Sequence, residues 1–264
     1  MPPEAGGDGI ASALAAVASK LTAVGLAAAP AGSAAAPAGS GSVLGARAYS
    51  RAAALSVAAR RPSAPRLRRL AVVRGSVGLS ERPGGRPTLQ VGSSTEFGSP
   101  RVLAVAARRR NWLGVIATER PNNRLAWVRR GSKQLRLRRT RWSLHTDLSE
   151  RTLTLRKAGR RVRRVAVAIG RPGSETPTGR FAVTDKLSGS QFGSYYGCCI
   201  LALSGHQPNT PPGWTGGNRL AIHGTDSPST IGTAASAGCL RASDADLAVL
   251  MRKVPLGTQV FIRR

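Results

Sequence analysis

From Leu70 to the C-terminus the chain is built of short runs in which apolar and polar residues alternate, with Gly, Pro and Asn between them. Alternation with period two puts every second side chain on one face of a strand. LAVVRGSV, PTLQVG, PRVLAVAARRR, WLGVIAT and RLAWVRR read as five such strands, punctuated by RPGGRP, EFGSP and RPNNR. Grouped this closely, they predict a small all-β barrel over 69–131, with Trp112 and Trp127 packed in its core. The basic stretch GSKQLRLRRTR at 131–141 reads as a hinge to a second β-rich region over 141–264.

That second region opens with a hairpin, WSLHTDL and RTLTLRKAG, followed by the alternating Val165, Val167 and Ile169. A turn-rich stretch, RPGSETPTGRF, comes next. Near the end the period changes. SDADLAVLMRKV places Leu247, Leu250, Met251 and Val254 on one helical stripe, with Ser243 as N-cap and Asp246 in the first turn. Pro255 and Gly257 stop this one short helix, and TQVFIRR is a last strand. The fold class expected is mostly β.

Residues 1–68 lack this texture. They are Ala-, Gly-, Ser- and Pro-rich, then Arg-rich, with few side chains to offset the entropy of ordering, and read as a disordered tail. LTAVGLAAAPAGSAAAPAGS from Leu21 has the make-up of an export h-region, although the start, MPPEAGGD, is acidic. Its prolines rule it out as a membrane span. The charge is lopsided, with 40 Lys+Arg against 12 Asp+Glu, a formal +28. Such a surface attracts polyanions, including anionic wall polymers. No nucleic-acid recognition motif accompanies the charge, so specific nucleic-acid binding is not expected. Nothing in the sequence sets an oligomeric state.

The three cysteines, the adjacent Cys198 and Cys199 and the distant Cys239, have no ordinary metal-ligand spacing, and neither a metal nor a cofactor is expected. The chemistry gathers in LAIHGTDSPSTIGTAASAGCLRAS. His223 ends a strand, where alternation aims it away from Leu220 and Ile222, in a position expected to stay wet. Cys239 follows sixteen residues later in a loop of small residues that lets backbone N–H groups converge. Arg241 adds a cation expected to favour the thiolate. A thiolate, an imidazole and convergent N–H groups suit acyl transfer.

These residues resemble the L,D-transpeptidase catalytic domain, the YkuD-like fold. The likeness rests on His223-Gly-Thr and on Ser236-x-Gly238-Cys239-hydrophobic-Arg241, with VAIGRPGSETPTGRF as a second signature. LALSGHQ and PLGTQVFIRR are similar to actinobacterial-style members, and the preceding module resembles a bacterial SH3-like barrel. The resemblance implies an L,D-transpeptidase-type β-sandwich, and an exported protein acting on peptidoglycan stem peptides. Cys239 would be the nucleophile and His223 the base, its ring oriented by the Gly224 carbonyl. Gly238 and Cys239 N–H groups would hold the oxyanion and Ser236 would brace the loop. Arg241, Tyr196 and His206 would face substrate. The thioester formed with a stem tetrapeptide, on release of D-alanine, would pass to an amine. Two departures stand out. Ala237 replaces the family's usual histidine, which implies slower turnover, and Cys198–Cys199 sits along the expected cleft, where an oxidised partner would silence Cys239. The alternative is a catalytically weak or inactive protein that binds wall or polyanion.

Overall fold

The computed structural model describes residues 67–212 and 217–264. The predicted tail lies, but for its last two residues, outside the described residues.

The first strands form an antiparallel sheet in the order β6-β5-β4-β1-β7. They are β1 (Arg68–Val73), β4 (Val102–Arg109), β5 (Trp112–Ile116), β6 (Ala126–Arg129) and β7 (Leu135–Thr140). A small ladder, β2 (Val77–Leu79) with β3 (Leu89–Val91), is bridged to it through Ser80 and Trp127. Ala71, Val73, Leu79, Leu113, Val115 and Val128 fill the core between them. Trp112 and Trp127 are only half-buried, at its margin. The stretch read as a hinge is not one. Residues 135–140 are β7, in register with β1 from Arg68↔Thr140 to Val73↔Leu135. Its alternation is concealed by Arg136, Arg138 and Arg139, because an edge strand can point arginines to water.

The remainder forms one eight-stranded sheet in the order β10-β9-β8-β17-β12-β13-β14-β16. The predicted hairpin is β8 (Trp142–Asp147) and β9 (Thr152–Lys157), followed by β10 (Arg160–Ala166). The centre is β12 (Gly179–Ser188), β13 (Cys199–His206) and β17 (Gln259–Arg263). The far edge is β14 (Arg219–His223) with β16 (Leu240–Arg241) in parallel. A further parallel pair joins β11 (Ile169–Gly170) to β15 (Ala234–Ser236). The sheet curls back on itself. Ala168, just beyond β10, donates to the Arg241 carbonyl at 2.8 Å and accepts the Arg241 N–H at 3.1 Å. The two edges thereby enclose Leu144, Leu155, Phe181, Val183, Leu201, Leu220, Ile222 and Leu240.

The helix α1 (Asp244–Lys253) closes one end of this core with Leu247 and Leu250. Ser243 Oγ accepts the Asp246 N–H at 3.2 Å, which caps its first turn. Along β13 and β14 alternation divides the side chains between two faces. Leu201, Leu203, Leu220 and Ile222 enter the core, while Ile200, Ala221 and His223 face the opposite side.

The two lobes share a tight seam. Arg68 Nη1 donates to Gln259 Oε1 at 2.7 Å, and Gln259 Nε2 donates to the Val105 carbonyl at 2.9 Å. RPNNR is more than a turn. Asn122 exchanges two bonds with the His206 backbone, at 2.6 and 2.9 Å. Asn123, at φ 64°, accepts the Arg180 N–H at 3.0 Å and donates to the Thr178 carbonyl at 3.1 Å.

Candidate active site

Parallel pairing of Ile222 with Leu240 and of His223 with Arg241 sets Cys239 beside the end of β14. Cys239 and His223 line one cleft, together with Phe97, Leu187, Tyr196, Ile200, Gln207, Arg219 and Ala221. The Cys239 thiol donates to the Arg219 carbonyl, 3.9 Å away.

His223 is not wet, contrary to its position at a strand end. It is wholly buried, with the ring centroids of Tyr196 and Tyr195 4.9 and 5.6 Å from its own. Its Nδ1 donates to the Gly224 carbonyl at 2.7 Å. A carbonyl only accepts, so Nδ1 carries the hydrogen and Nε2 keeps its lone pair. Among the described residues Nε2 has no hydrogen-bond partner. Burial, and secondarily the Arg241 cation, pull the imidazole pKa down to about 3. Burial likewise pushes the Cys239 thiol up from the ordinary 9.0, against smaller opposing effects of an Ala221 backbone bond and of Arg241. Arg241 pulls toward the thiolate, as expected, but desolvation exceeds that pull. The resting pair is a thiol and a neutral imidazole.

The cysteine loop is held from beneath. Ser236 Oγ donates to the Cys239 carbonyl at 2.6 Å and accepts the Gly238 N–H at 3.1 Å. That bond takes up the Gly238 N–H, one of the two groups expected to hold the oxyanion. Arg171 N–H donates to the Ser236 carbonyl at 2.9 Å, so the second signature and the cysteine loop form one unit. Within that turn Gly170 N–H donates to Thr176 Oγ1 at 2.8 Å, and a side chain at 170 would strike the Ser174 carbonyl.

Gln207 was missed. It is buried, and its Nε2 lies 3.1 Å from the carbonyl oxygens of Ser174, Glu175 and Ala237. It ties the turn to the loop. Gly238, at φ 119°, passes so close that a Cβ there would land on that amide. The sequence singled out His206, one residue earlier, and alternation decides against it. His206 is turned away from the cleft, with Nε2 2.9 Å from the Thr118 carbonyl and Nδ1 3.0 Å from Asn218 Oδ1. Arg241 also lies outside the lining. Its Nη2 donates to the Tyr195 hydroxyl, and its guanidinium stacks 4.5 Å from that ring. Tyr196 does line the cleft, with its hydroxyl held neutral by burial. Cys198 and Cys199 are disulfide-bonded to each other, leaving Cys239 free. Phe97 and Arg219 carried no motif, since each reaches the cleft only through the meeting of separate segments.

Residues 141–262 match the family model of the L,D-transpeptidase catalytic domain (YkuD). Two curated relatives from Bacillus align with a part of the chain of similar length, both called YkuD and described as candidate L,D-transpeptidases. The Bacillus subtilis protein is 32% identical over 47% of this chain and 66% of its own length. That of Bacillus licheniformis is 33% identical over 46% and 65%. The chain thus spans just under two thirds of each of these two relatives. Among solved structures, L,D-transpeptidase 3 from Mycobacterium tuberculosis, in complex with a faropenem-derived adduct, aligns with a TM-score of 0.41. The identity is 14%, over 73% of this chain and 95% of that one.

Proposed function

Taking residues 141–262 as an L,D-transpeptidase catalytic domain, we propose that the chain is a cysteine acyltransferase acting on peptidoglycan stem peptides outside the cytoplasm. The observation that carries this reading is the single cleft shared by the Cys239 thiol and His223, whose tautomer is set by Gly224. As the thiol sulfur attacks a peptide carbonyl, its proton passes to His223 Nε2, the one ring nitrogen still basic. The Cys239 N–H faces the developing oxyanion, and Ser236 and Gln207 keep the loop in place. The imidazolium then returns the proton to the leaving amine, D-alanine in a stem tetrapeptide, and a thioester remains. An incoming amine loses its proton to His223, takes the acyl group and restores the thiol. The site works as a neutral pair that transfers one proton during attack. With a thiol and an unpartnered imidazole, no ion pair needs to be held in a dry cleft.

Loss of the family's histidine at Ala237 fits this scheme, because the loop depends on the Ala237 carbonyl bonded to Gln207 rather than on a side chain at 237. The preceding lobe is read as SH3-like. The test is mass spectrometry of the intact chain after incubation with a carbapenem or a stem tetrapeptide. An adduct on Cys239 that is absent in Cys239→Ala and slowed in His223→Ala is expected. An unmodified folded protein would reject the reading.

A further inference from the structure

We propose that Phe97, a residue of the preceding lobe, is a specificity-determining wall of the cleft at Cys239. It would lie against the apolar body of the acyl donor, so the lobe at 68–140 forms part of the donor site. This rests on the acyl-transfer reading above.

Phe97 is half-buried and lines the cleft opposite residues of the catalytic lobe: Leu187, Tyr196, Ile200 and Ala221. Its loop is built to hold it there. Thr95 N–H donates to the Ser99 carbonyl at 2.9 Å, and Ser99 N–H donates to Thr95 Oγ1 at 3.1 Å. The same Thr95 hydroxyl donates to Asp185, which is fully buried in β12. Glu96 pairs with Arg219, itself fixed by the Leu203 carbonyl at 2.5 Å and Thr184 Oγ1 at 2.9 Å. The Phe97 ring meets Phe192 edge-on at 6.3 Å and takes the Arg219 guanidinium at 5.9 Å.

A tip fastened next to Phe97, through Thr95 to a buried carboxylate and through Glu96 to a largely buried guanidinium, leaves the ring little freedom to swing aside. Arg219 has Glu96 on one side and Asp185 at 3.9 Å on the other, so its charge is answered within the protein. The wall therefore presents hydrocarbon to the donor. Discrimination there depends on shape and apolar contact, as in a pocket that senses one methylene group.

The test compares Phe97→Ala, Phe97→Leu and Phe97→Trp in the full chain by two readouts. The first is the ratio of Cys239 alkylation rates with N-benzylmaleimide and with iodoacetamide, which requires no transpeptidase activity. Widening the cleft with Phe97→Ala should raise that ratio about tenfold, with Phe97→Leu intermediate and Phe97→Trp lowered. The second is turnover of a tetrapeptide donor, where Phe97→Ala should raise KM about tenfold with kcat within about twofold. A ratio that does not move in any folded variant overturns the proposal, as does a fall in kcat without a change in KM. If the unaltered chain accepts no donor, the acyl-transfer reading fails, and the alkylation ratio still judges Phe97. If Phe97→Ala does not fold, the leucine and tryptophan variants decide.

Discussion

A histidine at the end of a strand usually titrates near neutral pH, but two tyrosine rings and complete burial keep His223 neutral far below that. Two outcomes follow at the residue scale. Because burial raises the Cys239 pKa above 9.0, its alkylation rate by iodoacetamide should climb with pH into the alkaline range, without the low-pH plateau of a thiolate–imidazolium pair. Stability should also carry the mark of His223. Its folded pKa of about 3 lies below the unfolded 6.5, so between these values the unfolded chain binds a proton that the native chain refuses. The contribution is fully present above 6.5 and is lost as pH falls toward 3. Urea midpoints at pH 7 and pH 4.5 should differ less in His223→Gln than in the unaltered chain.

At the scale of elements, the loop before β16 is the critical piece, because it is fixed by polar side chains rather than by a helix or a ladder. Ser236→Ala strands both the Cys239 carbonyl and the Gly238 N–H. Each buried group left unpaired costs about 1–3 kcal/mol, and urea unfolding should register a loss of that order. Gly238→Ala combines a left-handed φ with a clash on Gln207. It should abolish Cys239 acylation in a protein whose circular dichroism is unchanged, since the β-sheet core lies on the other face. The capping serine of α1 and the stripe behind it were legible in the sequence because both are local. Gln207 was not, because its three acceptors come from two distant segments.

At the scale of the whole molecule, the two lobes behave as one body. The seam buries Ala104, Ile116 and Ala182 together and is stitched by Asn122, Asn123, Gln259 and the Asp185–Thr95 bond. Calorimetry of the chain should therefore show one cooperative transition for residues 67–264, and Asn122→Ala with Asn123→Ala should lower its midpoint without splitting it. Repulsion from Arg138, with desolvation and then Arg74 behind it, depresses the Arg136 pKa. Such repulsion between exposed charges is screened by salt.

What the sequence determined by itself is what period and proximity in the chain encode. This includes the strands from Leu70 onward, the capped helix near the end, and the pairing of a strand-end histidine with a cysteine in a loop of small residues. Those features depend on side chains a few positions apart, so one chain carries enough information. Tertiary structure alone decided how buried His223 is, which N–H groups remain for chemistry, why Arg241 faces Tyr195, and how a phenylalanine from another lobe reaches the cleft. Each of these is a balance of desolvation and distance between segments remote in sequence, and neither quantity exists until the sheet has closed on itself.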